Sequence, residues 1–98
     1  MDDNSIIRVH IRVKGRVQGV GFRAYVEHHA NQIDDITGWV KNVGWDTVEV
    51  VAEGERVKIE KFIEFIKKGP SMSRVDESQI EYEDVTGEFK EFGVKRSS

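Results

Sequence analysis

The chain has no cysteine among its 98 residues. That excludes a disulfide scaffold, a thiolate nucleophile and a cysteine zinc site. It holds a single proline, Pro70, and no apolar run that approaches the length of a membrane span. An excess of positive charge is missing as well. The formal net charge is -3, so bulk electrostatics attract neither nucleic acid nor an anionic membrane. Any anion must be held by a local positive site. The start, Met1-Asp2-Asp3-Asn4, is acidic where a signal peptide is basic, so a cytoplasmic location is expected.

What is present fits one globular domain. Hydrophobic residues make up 38% and charged residues 34%, a mix that can bury one modest core. A single domain over 1–98, with its core from about 6 to 95, is expected. Residues 7–14 alternate strictly between apolar and basic, the period of a half-buried strand, and Gly15 ends it. Phe22, Val26, Ala30 and Ile33 then repeat at helical spacing. Residues 36–43 and 48–52 read as strands joined by a short hairpin. Gly54 is expected to start a loop. Ile59, Phe62, Ile63 and Ile66 mark a second helix, which Lys67, Lys68, Gly69 and Pro70 bring to an end. Residues 75–83 read as a fourth strand and 89–94 as a short fifth at an edge.

The order βαββαβ predicts an α+β fold, a ferredoxin-like two-layer sandwich with an antiparallel sheet and two helices on one face. In that arrangement the first and second strands run parallel with the third between them. Their C-terminal ends share one sheet edge, about 10 Å apart. The glycine-rich turn at 15–21 and Asn42 should therefore face each other.

That turn joins a strand to a helix start, where N–H groups are unpaired and carry partial positive charge. Glycines there can serve the turn alone. They also let successive N–H groups converge on an anion. Arg23, in the first helical turn, adds a planar, two-pronged donor suited to phosphate or carboxylate. Gly19-Val20-Gly21-Phe22-Arg23-Ala24 also matches the dinucleotide fingerprint. However, the next strand ends in Lys41 and Asn42 rather than a ribose-binding acid. The nucleotide P-loop fails, because no Gly-Lys-Ser/Thr follows the glycines.

Gly15-Arg16-Val17-Gln18-Gly19-Val20-Gly21-Phe22-Arg23 resembles the first signature of the acylphosphatase family. Gly38-Trp39-Val40-Lys41-Asn42, followed by Val48 and Gly54, resembles the second, and Gly69-Pro70-Ser71 is also similar to the family pattern. The resemblance covers about residues 8–94. It implies hydrolysis of an acyl phosphate to a carboxylate and inorganic phosphate, with no metal and no cofactor. It implies that Arg23 binds the phosphoryl group and that the N–H groups of Gln18, Gly19, Val20, Gly21 and Phe22 complete a phosphate-binding loop. Asn42 would orient the attacking water. One departure is Asp46, where the family usually has a glycine. Asp tolerates positive φ, so the hairpin should form, and its charge should weaken anion binding.

Other polar residues read as structural. His10, His28 and His29 are expected on solvated surfaces, with no third metal ligand beside them. Trp39 and Trp45 are expected in the core or at its rim, and Phe22 and Phe62 in the core. Glu81, Glu83, Asp84, Glu88 and Glu91 read as a solvated charged face. Arg8, His10, Arg12 and Lys14 point outward from the first strand and Glu49 and Glu53 from the third, as cross-strand ion pairs. They leave no aromatic platform for RNA bases. The competing readings are a non-catalytic binding module on the same fold, a domain of a larger carbamoyl-phosphate-handling maturation protein, and a degenerate family member. The chain's length speaks against the second, and the presence of both Arg23 and Asn42 against the third. A monomer is expected, with a small-molecule substrate.

Overall fold

The computed structural model describes residues 5–96. Its elements are β1 (Ile6–Arg16), α1 (Phe22–Ile33), β2 (Thr37–Val43), β3 (Thr47–Glu55), α2 (Arg56–Lys68), β4 (Arg74–Glu83) and β5 (Phe92–Val94). The sheet order is β4-β1-β3-β2-β5. β3 lies between β1 and β2 and pairs antiparallel with both, and β4 pairs antiparallel with β1. Both helices pack on one face. This is the ferredoxin-like α+β sandwich.

Alternation explains the layers. Val9, Ile11 and Val13 of β1 and Val48, Val50 and Ala52 of β3 point toward the helices and are buried. Phe22, Val26 and Ala30 of α1 and Ile59, Phe62 and Ile66 of α2 meet them. Each large side chain contributes roughly 1.5–3 kcal/mol by leaving water.

Two elements depart from the sequence reading. Gly54 does not start a loop. It pairs with Ile7 and carries β3 on to Glu55. β5 spans Phe92–Val94 instead of 89–94 and runs parallel to β2, so the sheet is mixed. The register gives the reason. Arg8 lies opposite both Glu83 and Glu53, and Glu53 lies opposite Thr37. β4 therefore ends at the edge of the molecule where β2 begins. Residues 84–91 cross from one side of the sheet to the other, and the chain then continues in the direction of β2.

The crossing changes the outer sheet face. Arg8 pairs with Glu53 at 2.9 Å and Arg12 with Glu49 at 3.2 Å, the cross-strand pairs expected. Glu53, though, is only 4% exposed. The Thr86 and Gly87 N–H groups donate to its carboxylate at 2.9 and 3.1 Å. Arg8 reaches Glu88 at 3.1 Å and lies 5.2 Å from the Phe89 ring centre. Burial alone would raise the Glu53 carboxyl. The Thr86 N–H, Arg8, the Gly87 N–H and the Thr86 hydroxyl together hold it below the ordinary carboxylate value.

Three placements correct the expectations for polar and aromatic residues. His10 is half-buried between Glu49 and Glu83 rather than solvated. His29 stacks on Phe65 with ring centres 3.9 Å apart, and burial, then the nearby His28, lowers its pKa. Trp45 is 84% exposed instead of packed in the core or its rim. Trp39 is half-buried, with Lys95 Nζ 4.6 Å from its ring centre.

Candidate active site

The loop after β1 is pinned at both ends by apolar side chains. Val17 is 1% and Phe22 2% exposed, so both are held in the core. The residues between them are lifted over its rim. Gly19 and Gly21 take left-handed backbone, φ 73° and 77°, which glycine adopts without steric cost. A Cβ at either would meet nothing within 4 Å. Their glycine identity therefore answers backbone geometry and not crowding. α1 starts at Phe22, and Tyr25 N–H donates to Gly21 O at 3.0 Å. Gly21 supplies no side-chain cap, and the first turn holds no acid. Among the described residues, the N–H groups of Gln18, Gly19, Val20 and Gly21 have no acceptor within the chain.

Asn42 approaches from the other side. It follows Gly38 and Val40 on the helix-facing side of β2, where both of those are buried and Asn42 is half-buried. α1 packs on β2 and β5, so its N-terminus lies over the end of β2. Gln18, Gly19, Gly21, Phe22, Arg23 and Asn42 line one hollow of about 310 Å³. The expected site residues are thus brought together, with one exception. Val20 is not among the lining residues, and its side chain packs against the core. Arg23 is half-buried and forms no ion pair among the described residues.

The sequence reading did not assign four residues of this hollow, Val17, Ala24, Glu27 and Val94, to the site. Glu27 stands four residues after Arg23, hence one helical turn away on the same side, and that spacing was the available signal. Val94 arrives through β5, whose position depends on the chain crossing. Asp46 lies elsewhere. It lines a neighbouring hollow with Gly15, Arg16, Arg74 and Asp76, which shares Val17 and Gln18 with the first. Its carboxylate accepts from the Thr47 hydroxyl at 3.0 Å and lies 3.9 Å from Lys14 Nζ. Positive φ in this hairpin falls at Gly44, φ 61°, and not at Asp46. The only three-residue group with metal-ligand spacing among the described residues, His10, Glu81 and Glu83, is on the outer sheet face. There Arg8 Nε already occupies Glu83 at 3.0 Å.

A pocket built from open N–H groups, a free guanidinium and an amide suits a phosphate-like anion. Comparison with known proteins agrees with the geometry. The family model described as acylphosphatase matches residues 9–94. The chain belongs to the acylphosphatase family. The acylphosphatase of Syntrophotalea carbinolica is 45% identical over 89 residues, covering 91% of this chain and 96% of that protein. The crystal structure of acylphosphatase from Bacillus subtilis superposes with a TM-score of 0.85 at 34% identity, covering 91% of this chain and 98% of that one. Full-length HypF in its phosphate- and nucleotide-bound form gives a TM-score of 0.85 at 35% identity. That match covers 96% of this chain and 12% of HypF. The chain is an enzyme of the acylphosphatase type.

Proposed function

We propose that the chain hydrolyses the carboxyl–phosphate bond of a small acyl phosphate without a metal, as one domain spanning about residues 6–95 and as a cytoplasmic monomer. The observation that carries the reading is the shared hollow: open loop N–H groups, an arginine with no ion partner among the described residues, and the Asn42 amide all line it.

In this reading the loop N–H groups and Arg23 grip the phosphoryl oxygens. They meet the charge that grows there as the bond breaks. Asn42 is a neutral amide and takes no proton near neutral pH, so it serves as an acceptor that orients a water. The water oxygen attacks phosphorus while the bond from phosphorus to the carboxyl oxygen breaks. The carboxylate leaves with that electron pair and needs no general acid. The water's proton passes to a phosphate oxygen, giving inorganic phosphate. Positioning and charge supply the catalysis.

The test is turnover of benzoyl phosphate by the purified chain in chelator, beside Arg23→Ala and Asn42→Ala. The wild type is expected to turn over, and each variant to lose at least about 100-fold in kcat/KM while staying folded. A folded wild type that leaves acyl phosphates intact overturns the reading. If inorganic phosphate still protects that inactive protein against heat, the hollow serves anion binding alone.

A further inference from the structure

Gln18 carries two groups with different destinations. Its backbone N–H belongs to the proposed cradle. Its side-chain amide nitrogen points at the β2–β3 hairpin, 2.9 Å from Thr47 O and 3.3 Å from both Val43 O and Gly44 O. Val43 and Thr47 form the last pair of that ladder, so these carbonyls sit where strand pairing stops. An amide nitrogen offers two N–H donors, and here both have acceptors on one turn. Val43 directly follows Asn42. Among the described residues, no other side-chain hydrogen bond joins residues 17–21 to this hairpin.

We infer that the Gln18 side chain is a positioning residue for the attack of water on phosphorus: it ties the cradle to the strand that bears Asn42 and so fixes the distance between the two. This rests on the reading of Asn42 as the holder of water. The geometry separates two tasks. Phosphate is gripped by the loop and Arg23, all on one side of the tie. Water is held by Asn42, on the other side. Releasing the tie leaves the grip intact and lets the two sides drift apart. Because a misplacement of about 1 Å can cost roughly 100-fold in rate, the loss belongs in kcat and not in phosphate affinity. A side chain that only stiffened the loop would do the opposite, weakening phosphate and substrate together.

The experiment is a double-mutant cycle of Gln18→Met and Asn42→Ala on benzoyl phosphate, with inhibition by inorganic phosphate measured for every variant. Gln18→Met keeps the length of the side chain and removes its donors. It is expected to lower kcat about 10- to 100-fold and to leave the phosphate inhibition constant within about twofold. In the Asn42→Ala background the same change is expected to cost less than about threefold, since the group it aligns is gone. Gln18→Lys, whose ammonium presents three donors at similar reach, is expected to recover most of the lost kcat. If Gln18→Met does not fold, Gln18→Asn, polar but one methylene short of the carbonyls, takes its place. An equal kcat loss in both backgrounds overturns the inference, as does a parallel rise of KM and inhibition constant with kcat unchanged. If Asn42→Ala alone keeps full turnover, the reading of Asn42 fails instead, whatever Gln18 does.

Discussion

At the start of α2, the Arg56 N–H donates to Ser5 O at 3.0 Å, and Lys58, in the first turn, pairs with Asp35 at 2.9 Å. At its other end Lys67 and Lys68 suit the negative pole, and Gly69 closes the helix with its N–H on Phe65 O. At the start of α1 nothing comparable is found. Neither helix has a side-chain cap or an acid in its first turn, and the difference is that Arg23 has no ion partner among the described residues whereas Lys58 has Asp35. A cation at the positive pole of a helix costs a few tenths to about 1 kcal/mol. For Lys58 of α2, Asp35 offsets that cost within the chain. α1 leaves it to be offset from outside, by an anion.

Removing each cation is the hardest test of that contrast. Arg23→Ala is expected to lower kcat/KM by about 100- to 1000-fold and to leave Tm unchanged or slightly higher, since an uncompensated charge is lost. It should also abolish the rise in Tm that inorganic phosphate gives the wild type. Lys58→Ala should do the reverse: unaltered turnover, a slightly lower Tm and an intact phosphate effect. Steady-state assays and thermal melts read both.

Glu53 sharpens the comparison, because it is a buried charge whose partners all belong to the chain. Glu53→Gln is expected to cost about 1–3 kcal/mol of stability, measured by urea unfolding. Its folded pKa lies below the ordinary value of 4.5. The stabilisation is therefore complete above that value and is lost as pH falls through the folded pKa. Wild-type stability should drop through this acid range more steeply than that of Glu53→Gln. The smallest expected effect is at Asp46. Its carboxylate faces Lys14 and Thr47 in the neighbouring hollow, so Asp46→Asn should tighten inorganic phosphate by only about twofold. A tenfold gain would mean that its charge reaches the cradle directly.

Residues in regular alternation or helical repeat were legible in the sequence. Val9, Ile11 and Val13 announced β1, and the Lys67-Lys68-Gly69-Pro70 run announced the end of α2. The meeting of the loop with Asn42 followed from topology, because two parallel strands on either side of β3 must end together. What stayed hidden depends on the chain returning over itself. Glu53 reads as an ordinary outward acid until residues 84–91 cover it. Gly54 reads as a breaker until pairing with Ile7 holds it in a strand. Val94 has no local mark of the site, because only the parallel docking of β5 brings it there. The Gln18 side chain was equally silent, since its acceptors are backbone carbonyls of a remote turn.

β5 gives the hollow a wall of a different kind from the rest. Its three residues pair with one neighbour only, helped by Gly38 N–H on Glu91 O at 3.0 Å and Lys95 N–H on Val40 O at 2.7 Å. The opposite wall is rooted in Val17 and Phe22, inside the core. Phe92 is 6% exposed and packs edge-on against Phe62 with ring centres 5.5 Å apart, so opening β5 asks for the rupture of this short edge and for the withdrawal of a core ring. Both walls of the hollow are therefore rooted in the core, one through Val17 and Phe22 and the other through Phe92.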